Sequence, residues 1–123
     1  MNIAVEWANL EETVILWKFG HRWTTDDYFD AMKRSNMLVS TKPYLVDSLI
    51  DMRYTNVRQS NLFQLAQIGH KNKPRNTGRI IILVTSEFLP RMYRHYKQVF
   101  PNVHNMDFAN TLDEAYEHLR LDM

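Results

Sequence analysis

Apolar positions recur along this chain with two different periods. Ile3-Ala-Val-Glu-Trp7 and Val14-Ile-Leu-Trp-Lys-Phe19 are short runs rich in β-branched and aromatic residues, and the mostly polar stretch Asn9–Thr13 between them suits a hairpin turn. From Thr24 the period changes. Tyr28, Ala31, Met32, Ser35, Leu38 and Val39 place small or apolar side chains on one helical face, with Thr24 as the cap, Asp27 three residues on, an expected end near Ser40 and Pro43 beyond it. Val46–Met52 reads as a third strand despite its two aspartates, and a second helix is expected from about Ser60, with Leu62, Leu65, Ala66 and Gly69 on its face.

The turn-rich segment Lys71-Asn-Lys-Pro-Arg-Asn-Thr-Gly78 ends that helix, and Arg79-Ile-Ile-Ile-Leu-Val84 follows as an apolar run suited to a strand covered on both faces. After Thr85-Ser86, the stripe Leu89, Met92, Tyr93, Tyr96, Val99 and Phe100 marks a third helix, with Pro90 in its first turn and Pro101 as its stop. Met106–Ala109 is a short strand, and Thr111-Leu-Asp-Glu114 has the spacing of a capping box for a closing helix that carries Leu112, Ala115, Tyr116 and Leu119. The predicted order is β-β-α-β-α-β-α-β-α, an α/β class whose initial hairpin and later β-α units imply a mixed sheet with parallel later strands.

A length of 123 residues is that of one domain, expected here to span 1–123, and the 45% hydrophobic content with three glycines and four prolines supports a packed core. The absence of cysteine excludes disulfides, thiolate metal sites and thiol nucleophiles. No run reaches a membrane-spanning length, and MNIAVEWANLEE lacks the features of a secretory leader, so a soluble cytoplasmic protein is expected. Neither GxGxxG nor GxxxxGK[ST] occurs, which removes the two common phosphate loops of α/β enzymes. His21, His70, His95, His104 and His118 show no HxH or HxxxH spacing, so no metal is expected, and no cofactor is expected either. Trp7, Trp17 and Trp23 lie on or beside the opening hairpin and are expected to pack over one sheet face. No nucleophile–base pair stands out, and a non-catalytic protein is the expectation.

The segment Ser48-Leu-Ile-Asp-Met-Arg-Tyr-Thr-Asn-Val-Arg-Gln-Ser60-Asn-Leu-Phe-Gln-Leu65, in this strand–helix order, resembles a STAS domain, the SpoIIAA-like fold of anti-sigma-factor antagonists. Phe19–Phe29, Val46–Arg53, Pro74–Gly78 and Thr111–Ala115 make the chain similar to small stand-alone bacterial proteins of the STAS and CRAL-TRIO type, a resemblance that covers nearly its whole length. In the antagonists, a strand ending in a Leu-Asp-like pair leads to Asp-Ser-Ser-Gly, whose first serine a partner kinase phosphorylates. With Ile50-Asp51 on that pair, Ser60 falls on the phosphorylated serine. The flanking residues depart from the motif, since Gln59, Asn61 and Leu62 replace the Asp, the second serine and the glycine, and Ser60 also suits a helix N-cap.

Charge adds a geography to that fold. The net charge of +1 conceals blocks of −3 over residues 1–52, +8 over 53–97 and −4 over 98–123. On the expected fold the basic block divides. Arg53, Arg58 and Ser60 lie at the carboxyl end of the third strand near Thr85, Ser86 and Arg91, whereas Lys71, Lys73, Arg75 and Arg79 lie at the far end of the second helix. A divided block without interleaved exposed aromatics argues against nucleic-acid binding. Two functions are expected from the resemblance and the charge: a regulatory protein-interaction module with an unidentified partner, monomeric or homodimeric, or a site for a small anionic ligand, a nucleotide or acidic lipid headgroup, at the strand ends.

Overall fold

The computed structural model describes residues 2–56, 62–99 and 106–120. The expected helix start at Ser60 falls outside these residues. Strands β1 (Ile3–Trp7) and β2 (Val14–Phe19) are followed by α1 (Thr25–Ser40), β3 (Val46–Asp51), α2 (Leu62–Lys71), β4 (Thr77–Leu83), α3 (Phe88–Val99), β5 (Met106–Ala109) and α4 (Leu112–Arg120). Together they form an α/β fold around one five-stranded mixed sheet in the order β1-β2-β3-β4-β5. β1 runs antiparallel to β2, and each later neighbour is parallel.

Local chemistry sets the boundaries. In the β1–β2 turn the Asn9 side-chain oxygen accepts from the Thr13 and Val14 amides at 3.0 and 3.2 Å, and Glu12 takes a left-handed φ of 58° to close the turn. At α1 the Thr24 hydroxyl accepts from the Asp27 amide while the Asp27 carboxylate accepts from the Thr24 amide, a complete capping box. The Asp27 carboxyl is held below its usual range by the Asn2 side-chain amide and then by the Thr24 amide. At α4 the reciprocity shifts by one residue, because the Thr111 hydroxyl caps the Glu114 amide but the Glu114 carboxylate reaches back to Asn110.

Because each strand after β2 joins the same growing edge of the sheet through a crossover of one hand, α1, α2 and α3 arrive on one face. Trp17, Phe19, Met52, Ile82 and Val84 from the strands pack there with Tyr28 and Ala31 of α1, Leu65 of α2 and Leu89 of α3. Among the described residues, the opposite face is covered by α4, which lies across β4 and β5. There Val14, Leu49, Ile81, Leu83 and Ala109 meet Ala115 and Leu119. The run Ile80–Val84 thus feeds both cores by alternation, with Ile80, Ile82 and Val84 toward three helices and Ile81 and Leu83 toward one.

The two aspartates of β3 have separate reasons. Asp47 sits at an irregularity in the β3–β4 register, and its carboxylate accepts from the Arg79 amide at 2.8 Å. That carboxylate occupies the space a Cβ on Gly78 would need. Gly78 is therefore a requirement of close approach. Gly78→Ala is expected to displace Asp47 from the Arg79 amide and destabilise the fold by about 1–3 kcal/mol, read as a lowered urea midpoint at unchanged slope.

Candidate functional site

Of the strand-end residues picked out by charge, Arg53, Thr85, Ser86 and Arg91 are among the described residues. Arg53 follows β3 and turns back on Asp51, giving its Nε and Nη2 to the two carboxylate oxygens at 3.0 and 2.9 Å while its amide donates to Oδ1 at 3.1 Å. Its guanidinium also lies 5.1 Å from the centre of the Tyr54 ring. Burial alone would raise the Asp51 carboxyl, but the Arg53 side chain and amide outweigh it and hold the carboxyl below its usual range; the same hydrogen bonds raise the Arg53 guanidinium. The charge of Arg53 is thus matched within the protein. Thr85 and Ser86 follow β4 and are exposed, and the Ser86 hydroxyl accepts from the Phe88 amide at 3.4 Å where α3 begins. Arg91 is exposed on α3, and Arg58 and Ser60 lie outside the described residues.

A second feature lies elsewhere, between the sheet and the helices of the crowded face. A partly open pocket of about 160 Å³ lies there. Its floor is Trp17 and Phe19 of β2, Ser48 and Ile50 of β3, Ile80 and Ile82 of β4 and Met106 and Phe108 of β5. Met32, Ser35, Asn36 and Val39 of α1 and Ala66, Gly69 and His70 of α2 form its roof, and Lys73, Pro74 and Thr77 close the end where β4 begins. The walls are mainly hydrocarbon. Polar side chains collect toward the β4 end, where His70, Lys73 and Thr77 are half-buried, and Ser35 is 5% exposed.

Small residues explain why space remains. Three helices must tile one face of five strands, and where they pass over Ser48 they present Ser35, Ala66 and Gly69 instead of large side chains. Tyr28 fixes the height of the roof. Its hydroxyl donates to the Leu65 carbonyl of α2 at 3.0 Å, and a Cβ on Gly69 would stand 2.7 Å from that hydroxyl oxygen, so a larger residue there would require the Tyr28 hydroxyl to shift. Burial pushes the Tyr28 phenol up to about 12, which keeps it a neutral donor through the physiological range. A second tie runs from the Asn36 side-chain amide to the Asn72 carbonyl at 3.0 Å.

Sequence pattern placed Met32 and Ser35 on the buried face of α1 and Lys73 in a basic loop, but it did not bring them together around a void. The usable signal was Ser48, a hydroxyl residue on the strand face that also carries Ile50 and Met52. Trp17 and Trp23 pack as expected into the core, joined through Phe19 and Tyr28, and the Trp23 indole donates to Thr55 at 2.8 Å. Trp7 is half-buried beneath the Lys42 ammonium. No helix among the described residues is long and apolar enough to cross a membrane. In comparisons with known proteins, no family model, curated protein or solved structure matches this chain.

Two measurements probe this geometry. Tyr28→Phe removes one buried hydrogen bond, with an expected cost of about 0.5–1.5 kcal/mol and faster amide exchange in α2 than in the sheet. Asp51 binds its proton less readily when folded, so its contribution is present above the ordinary value of 3.8 and is lost as pH falls through the lowered folded value. Asp51→Asn is expected to cost about 1–3 kcal/mol at neutral pH by leaving Arg53 without its carboxylate, and to flatten the acid limb of a stability–pH curve.

Proposed function

We propose that this chain is a non-catalytic binding module of the STAS type that holds a small, largely apolar ligand between its sheet and helices α1 and α2, and that ligand occupancy is what a regulatory protein partner reads. The supporting observation is the cavity of about 160 Å³. An engineered cavity of about 150 Å³ with apolar walls takes up benzene, so this space suits a ring or short branched chain of that order. Its mainly apolar walls reward hydrocarbon, at about 25 cal/mol for each Å² removed from water. A nucleotide, which carries several charges and exceeds this volume, fits neither the size nor the lining.

Coupling to a partner would follow from the construction of the roof. A ligand that fills the space beneath Ala66 and Gly69 stabilises the position of α2, whose attachment runs through Tyr28 and Asn36. The surface α2 presents is then the surface that changes. The STAS resemblance of residues 48–65 supports the same region, since it includes the start of α2.

Differential scanning fluorimetry with small apolar compounds tests the binding. Toluene or indole at a hundred times its dissociation constant is expected to stabilise the protein by about 2.7 kcal/mol. Ala66→Leu, which extends a side chain into the cavity, is expected to abolish that shift, and Met32→Phe provides a second filling variant on α1. Unchanged melting with every such compound, in protein shown to be folded, would remove the reading.

A further inference from the structure

The polar end of the cavity identifies the ligand more closely. We propose that the ligand is a compact apolar carboxylic acid, its ring or branched chain between the sheet and α1 and its carboxylate directed to Lys73; this inference rests on the cavity being a ligand site. Three features of the lining support it.

The first is charge. The cavity lining includes a lysine and a histidine, Lys73 and His70, and no aspartate or glutamate among the described residues. Lys73 forms no ion pair among the described residues. The chain around it is uniformly non-acidic, because no aspartate or glutamate occurs between Arg53 and Ser86. Lys71 at the end of α2 and Arg75 in the following loop are exposed, and the Asp47 carboxylate near this end is engaged by the Arg79 amide. The one lysine of the lining matches a single carboxylate. A phosphate monoester would bring up to two charges into a lining that supplies one permanent cation.

The second is the arrangement of hydroxyls. Ser35 from α1, Ser48 from β3 and Thr77 from β4 reach the lining from three different elements. Each hydroxyl carries one O–H to donate, which a purely hydrocarbon ligand would leave unused. A carboxylate accepts from such donors with charge assistance and has lone pairs for the ammonium as well.

The third is size. With a volume comparable to a benzene-sized cavity, the space holds the apolar part of an aryl or short branched acid but not an extended long-chain lipid. The acid group then reaches the half-buried rim at Lys73, where desolvation is partial and pairing is favourable. Neighbouring Arg79 is committed elsewhere, to the His118 carbonyl at 2.9 Å and Asp107 at 3.3 Å.

Isothermal titration with phenylacetate and its neutral isostere phenylacetamide separates this inference from the reading beneath it. Phenylacetate is expected to bind about three- to tenfold more tightly than the amide, the range for a partly exposed charge-assisted contact. Lys73→Met is expected to erase that difference while preserving amide binding, and Lys73→Arg to retain part of it. Equal affinities in the wild-type protein, or a preference for the acid that survives Lys73→Met, would overturn the inference while leaving the cavity as a ligand site. Binding of neither compound to folded wild-type protein that toluene or indole still stabilises would overturn the inference alone, and absence of any response to all four would overturn both.

Discussion

The hand of the β-α-β crossover constrains everything else in this molecule. When successive parallel strands add to the same side of a sheet, a crossover of fixed hand delivers each connecting helix to the same face. The order β1-β2-β3-β4-β5 is therefore also a statement about where α1, α2 and α3 must go. Among the described residues, one face receives three helices and the other receives α4. Such asymmetry creates two packing problems. On the lightly covered side, small Ala109 and Ala115 let α4 sit close over β4 and β5. On the crowded side, α1 is drawn over β1 and β2, and the neighbouring helices must bridge the remaining strands.

A void on the crowded side follows from how α2 is held. Tyr28 provides a rigid spacer with a polar tip: its ring packs against Trp17 and Trp23, and its hydroxyl reaches the Leu65 carbonyl. Gly69 permits the approach at one point and adds no side chain to fill the space beside it. With Ser35 and Ala66 also small, the helix layer is supported at its tyrosine post and at Asn36, and the floor beneath remains uncovered by large side chains. Well-packed interiors hold few voids larger than a water molecule.

Much of the architecture was legible in local pattern. The Thr24 capping box, the 3.6-residue stripe of α3, and the apolar run of β4 all reflect interactions within a few residues or the alternation imposed by a sheet, and these are properties a sequence displays directly. β3 was harder to read because Asp47 and Asp51 answer to partners that no hydropathy pattern contains, one an amide on the neighbouring strand and the other a guanidinium across a tight reversal. The cavity was harder still. Its lining comes from α1, α2, β2, β3, β4 and β5, and a void is defined by side chains that fall short of one another, which no periodicity records.

Charge shows the same division between local and spatial information. The central basic block is a property of sequence, but its arginines meet different fates in the fold. Arg53 is absorbed by Asp51 two residues away, and Arg79 is absorbed by Asp107 and the carbonyl of His118 at the other end of the chain. Both pairings place the guanidinium where it satisfies protein groups, so neither contributes a free charge to a ligand. Lys73 differs because it sits in a loop between α2 and β4, at the rim of a lining that contains no carboxylate among its described residues. A flexible stem with a compact, well-hydrated charge suits such a rim better than a planar guanidinium held by two partners. Within an electrostatically mixed surface, what singles out a cation for recognition is the absence of a matched carboxylate beside it together with apolar space behind it, and Lys73 combines the two.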